Sequence, residues 1–116
     1  MSLIVETGAV VPGAESYISE ADSIAYHTSR GNDTWMTISQ IQREQALRRA
    51  TDYMAQVYRR RWAGFRATAT QALDWPRSFV YLEPFVRGAT GSYPYLVADN
   101  VVPEEVKRAC AELALR

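Results

Sequence analysis

One histidine, one cysteine and a run of arginines among aromatic rings are the side chains of this sequence best equipped for chemistry. His27 has no second histidine, and no cysteine or carboxylate cluster at ligand spacing, so it lacks the partners a metal site or an acid–base pair requires. It reads as a surface or half-buried side chain late in a helix. Cys110 stands alone, which excludes an intrachain disulfide. Its place on the apolar face of a helix predicts a small core residue in a reducing compartment. A nucleophilic thiol would need an activating base nearby, and the neighbouring sequence offers none. No glycine elbow surrounds a serine. Gly88-Ala89-Thr90-Gly91 is not followed by Lys-Ser/Thr or by a helical pattern, so it reads as a turn and not as a phosphate loop. The sequence is therefore expected to be non-enzymatic, with no catalytic residues, no metal ligands and no cofactor.

The polar constellation with most character is Tyr58-Arg59-Arg60-Arg61-Trp62, followed by Phe65-Arg66. Guanidinium groups hold phosphates while rings stack on bases, which is the chemistry of single-strand nucleic-acid grooves. On that reading the contacts come from Arg59, Arg60, Arg61, Trp62 and Arg66. The competing reading sends Trp62 and Phe65 into the core and leaves the arginines solvated or paired with a neighbour's acids. Tyr58 and Trp62 share one face at helical spacing, which suits packing.

These residues need elements to place them. With 116 residues the chain is sized for one domain, and an apolar fraction of 47% argues against disorder. Residues 1–18 carry no helical period and predict an extended arm lying on the domain or on a neighbour. A first helix starts after Ser19, with Asp22 completing an approximate capping box, a less polar face of Ala21, Ile24, Ala25 and Thr28, and Gly31 as its left-handed stop. Trp35 and Met36 in the next loop are candidate core plugs. The strongest periodicity predicts the longest helix over about residues 40–60, capped by Ser39 and Gln42. Its apolar face comprises Ile41, Ala46, Leu47, Ala50, Tyr53, Met54, Val57 and Tyr58. Glu44 falls on the polar face. Residues 63–102 hold prolines, glycines and tyrosines without a helical period. They predict a long loop with a short β-hairpin pairing 80–82 with 95–97 around Gly88–Gly91. A last helix begins at Pro103, presents Val106, Ala109, Cys110 and Leu113, and is uncapped at Arg116, as if the natural chain continued. The expectation is a mainly α fold, a small bundle of three to four helices.

Charge is balanced overall but segregated along the chain. Residues 1–42 hold Arg30 against five carboxylates, whereas residues 43–66 hold seven arginines against two. Such opposite segments could pair head-to-tail between copies, and the zero net charge does not suit a general DNA coat. No apolar run reaches the ~20 residues of a membrane helix. The start lacks a signal-peptide pattern. Both features predict a protein made and used in cytoplasm, or in a particle assembled there.

Several segments, taken in order, resemble a known family. They are Ala14-Glu15-Ser16-Tyr17-Ile18-Ser19 with Ala21-Asp22 and Tyr26-His27, Arg30-Gly31-Asn32 with Trp35, Ala46-Leu47-Arg48-Arg49-Ala50-Thr51-Asp52-Tyr53, Thr70-Gln71-Ala72-Leu73-Asp74-Trp75-Pro76-Arg77, and Val102-Pro103 with Val106-Lys107 and Glu112-Leu113-Ala114-Leu115. This order is similar to small phage and prophage proteins labelled DnaT-like single-stranded DNA-binding proteins, whose members resemble head–tail connector (adaptor or neck) proteins. The resemblance covers nearly the whole chain, and its most specific stretch is Gln71 to Arg77. It implies a non-enzymatic, helical, structural subunit of a homo-oligomeric ring between capsid and tail. It implies portal and tail-completion proteins as partners, non-specific contact with DNA, and no membrane. The implied location is the bacterial host cytoplasm during assembly, then the virion head–tail junction. The alternative it implies is a DnaT-like single-stranded DNA-binding module. The stretch after Arg77 is longer and richer in aromatics than the family pattern.

Overall fold

Helices begin where side-chain oxygens meet the free amides of a first turn. The computed structural model describes residues 3–80 and 96–115 and is mainly helical. Helix α1 spans Glu20–Ser29, and the Ser19 side chain accepts a hydrogen bond from the Asp22 amide. Helix α2 is the single turn Thr34–Thr37. Helix α3 spans Gln40–Tyr58 behind a complete capping box: Ser39 Oγ accepts from the Gln42 amide and Gln42 Oε1 accepts from the Ser39 amide, 3.2 and 3.0 Å. Strands β1 (Phe65–Arg66) and β2 (Arg77–Ser78) pair antiparallel, Phe65 opposite Ser78. Helix α4 spans Glu104–Leu115, and the Pro103 carbonyl accepts from the Val106 and Lys107 amides.

The core forms where α3 meets α4 and α1. Leu47, Ala50, Thr51 and Met54 of α3 are buried against Val106, Cys110 and Ala111 of α4, together with Tyr17, Ile18, Trp35, Trp75 and Val102. Fully burying a side chain such as Leu47 or Met54 contributes about 1.5–3 kcal/mol. Cys110 is completely buried, with its Sγ 3.3 Å from Thr51 Oγ1, in the core position its sequence pattern predicts.

Several sequence expectations are corrected. The expected extended arm lies on its own domain and is part of its core: among residues 3–18, Glu6, Ala14, Ser16, Tyr17 and Ile18 are buried. The Glu6 carboxylate accepts the amides of Gly8, Val10 and Val11 at 2.9–3.0 Å, which satisfies a charge that burial would otherwise penalise. Arg48 of α3 then ties the segment down through Glu15 at 2.9 Å, and that hydrogen bond holds the Glu15 carboxyl below the usual carboxylate range. His27 is buried, not half-exposed. Asn32 Nδ2 donates to its Nδ1, 3.1 Å, and its Nε2 donates to the Ala111 carbonyl, 2.9 Å, so it joins α1 to α4. The buried face of α1 is accordingly Ser23 and His27, one turn apart, and Ser23 Oγ accepts from Trp35 Nε1. Trp35 is a core plug as expected, but Met36 is exposed. On α3 the buried stripe is narrower than the periodicity suggests. Ile41, Tyr53 and Val57 are exposed while Glu44 is buried, because α1 and α4 cover only the side that carries Leu47, Thr51 and Met54. Residues 63–80 are not a structureless loop, since they contain β1 and β2. The expected hairpin around Gly88–Gly91 lies outside the described residues. Of it, the structure gives only the hydrogen bond from the Val97 amide to the Val80 carbonyl, 2.7 Å.

Candidate nucleic-acid interface

Helix α3 ends at Tyr58, and the chain turns through Arg59, Arg60 and Arg61, with the Arg61 and Trp62 amides donating to the Tyr58 carbonyl. From there it makes an arch: out along β1, around residues 67–76, and back along β2. Buried polar side chains from the return leg hold the arch together. Gln71 Nε2 donates to the carbonyls of Leu73 and Pro76, 2.8 and 2.9 Å, while its Oε1 accepts from the Thr68 amide, 2.8 Å. Arg77 spends its guanidinium on three carbonyls: Ala63 at 2.9 Å, Gly64 at 3.1 Å and Asp74 at 3.2 Å. Burial lowers its pKa from the ordinary arginine value. Asp74, 1% exposed, accepts from Arg59 Nε at 2.9 Å and from Trp62 Nε1 at 3.1 Å. The Tyr17 hydroxyl accepts from the Asp74 and Trp75 amides and so links the arch to the N-terminal segment. Burial pushes its pKa up to about 12. The Trp75–Pro76 peptide is cis.

This scaffold sorts the five residues singled out from the sequence. Arg59 is paired with Asp74 and Trp62 is half-buried, bonded to Asp74 and packed 5.5 Å from the Trp75 ring and 5.9 Å from that of Tyr58. Neither is a free contact group. Arg66 directs one guanidinium nitrogen onto the Gln71 carbonyl. Arg60 and Arg61 are exposed and form no ion pair among the described residues.

The exposed rings are ones the sequence reading did not assign to the contact. Phe65 is 70% exposed, against its expected place in the core as the packing alternative had it, and Phe79 is 68% exposed. Their rings meet edge-to-face with centroids 6.4 Å apart across β1 and β2. Phe79 takes a positive φ of 62°, a conformation rare for a bulky residue. The sequence signal for Phe79 was weak, since nothing local distinguishes Arg77-Ser78-Phe79 from a buried strand.

Among the described residues, no group of three or more His, Cys, Asp or Glu is placed to hold a metal ion, and no helix is long and apolar enough to cross a membrane. Comparison with known proteins gives one family model, described as "Putative DnaT-like ssDNA binding protein", which matches residues 1–116. No curated protein and no solved structure matches.

Proposed function

The chain belongs to the DnaT-like family, and on that premise we propose that it binds single-stranded DNA where α3 runs into the β1–β2 arch. The observation that carries this reading is the pair Arg60 and Arg61: two adjacent exposed guanidinium groups just past the end of α3, with no acid partner among the described residues. Unpaired arginines at a helix end hold phosphates without reading sequence. Binding is then weak to moderate, sequence-tolerant and salt-dependent.

The test is fluorescence anisotropy with a labelled oligothymidylate over a range of salt concentrations. Two phosphate contacts give a slope of log K against log salt of roughly −1.4, from about −0.7 per contact on a single strand. The double substitution R60A/R61A brings the slope towards zero and weakens low-salt binding without changing the thermal midpoint. Absence of wild-type binding at low salt, or an unchanged slope in R60A/R61A, contradicts the reading.

A second reading keeps the connector role that the sequence resemblance implies. One feature favours it: Tyr53 and Val57, one turn apart on α3, are exposed beside a groove of about 490 Å³ lined by Ala46, Arg49, Ala50, Tyr53, Leu113 and Ala114. A ring contact with a sister subunit or a portal protein would cover such a face. Electron microscopy of the chain mixed with its portal protein tests this; separate, unassociated particles count against it.

A further inference from the structure

We infer that Phe65 and Phe79 together form a base-stacking platform, so that the ligand is recognised through unpaired bases as well as through phosphates. The inference rests on the single-strand reading above and adds to it the residues that distinguish a splayed strand from a duplex.

Three independent observations converge on the pair. Both rings are more than two-thirds exposed, although each leaves water-facing apolar area that a core position would have removed. The two rings lie edge-to-face, 6.4 Å apart, which presents two differently oriented π-surfaces at one place. The backbone that presents Phe79 is in the left-handed region, φ 62°. A bulky residue persists there only when its surroundings enforce it, and such positions concentrate at binding sites. The enforcing groups are at hand. Arg77 locks the Ala63 and Gly64 carbonyls. Gly64, itself at φ 70°, brings its α-carbon so near β2 that an added Cβ would lie 2.1 Å from the Ser78 carbonyl oxygen. The arch is thus braced from inside by buried polar groups and the buried Trp75, while Phe65 and Phe79 face outward.

The kind of occupant follows from charge. Arg60 and Arg61 precede Phe65 by five and four residues and are free of acid partners among the described residues. An apolar pair close in sequence to free cations suits a ligand that joins flat rings to anionic links, which describes a single nucleic-acid strand. In a duplex the bases are stacked on each other and unavailable, so the platform contributes nothing there.

The experiment compares two probes of equal length and charge, an oligothymidylate and an abasic deoxyribose-phosphate oligomer, against the wild type and F65A/F79A. Both phenylalanines are exposed, so the double variant is expected to fold, and its circular dichroism and thermal midpoint check that it does. The wild type should bind the base-bearing strand roughly tenfold or more tightly than the abasic one, in line with stacking of one or two bases. F65A/F79A should bind both probes equally, at the wild-type abasic level. A wild type that binds neither probe overturns the single-strand reading itself. A wild type that binds both equally, or an F65A/F79A variant that keeps the preference, overturns the platform alone. Loss of a concentration-dependent dimer in F65A/F79A with unchanged oligonucleotide binding would assign the rings to a second copy and overturn it as well.

Discussion

Arginine identity in this chain is decided by what lies within reach of each guanidinium. Arg59, Arg60 and Arg61 are consecutive, exposed and read alike as sequence, yet Arg59 is committed to the buried Asp74 while its two neighbours form no ion pair among the described residues. A carboxylate 15 residues further on, brought back by the arch, makes that difference, and no local pattern reveals it. Tyr17 shows the same dependence on distant groups. Its hydroxyl accepts two amides from the arch, which favours the ionised form, but burial dominates and raises its pKa to about 12 against an ordinary 10.0. Because the folded-state value is raised, the associated stability is fully present below the ordinary tyrosine pKa and is lost as pH climbs from there through about 12. Urea melts at rising alkaline pH should show this decline in the wild type, and Y17F should flatten it. An equally steep decline in Y17F would place its origin elsewhere.

The elements divide into those written locally and those written by the fold. Helices α1 and α3 are legible from Ser19 and Ser39, because a capping hydroxyl and its partner lie three residues apart. The core position of Cys110 follows from the same periodicity. Which apolar residues of α3 stay exposed was not legible. Periodicity marks a face, and only the packing of α1 and α4 sets how much of it is covered. Strands β1 and β2 are two residues each and carry no alternating pattern, so their sequence is indistinguishable from that of a loop. They exist because three residues from the stretch most specific to the family resemblance turn inward: Gln71 and Arg77 bond backbone carbonyls of the arch, and Asp74 accepts from the side chains of Arg59 and Trp62. Gly64 is the tightest point of that construction. Replacing it with alanine strains a positive φ and drives Cβ into the Ser78 carbonyl, so β1 and β2 must separate. G64A should cost on the order of 1–3 kcal/mol of stability and weaken oligonucleotide binding along with it. Unchanged stability and binding would show that the arch tolerates opening.

At the scale of the molecule, the opposite charges of the first and second segments meet within one chain at two ion pairs. Arg43 binds Glu20 and Arg48 binds Glu15, both at 2.9 Å, so these four groups are engaged within the chain. Those pairs clamp the N-terminal segment and α1 onto α3 and leave positive charge beyond the end of α3 unneutralised by them. Beyond the end of α3, a scaffold fixed by buried polar contacts follows Arg60 and Arg61, which form no ion pair among the described residues, and carries the exposed rings of Phe65 and Phe79. Amide chemical-shift mapping with an oligothymidylate tests that claim most directly. The account predicts shifts that centre on Arg60, Arg61, Phe65, Arg66 and Phe79, fade with added salt, and leave the Tyr53–Val57 face of α3 unmoved. Shifts centred on the α3–α4 groove instead, or none at any salt concentration, would contradict it.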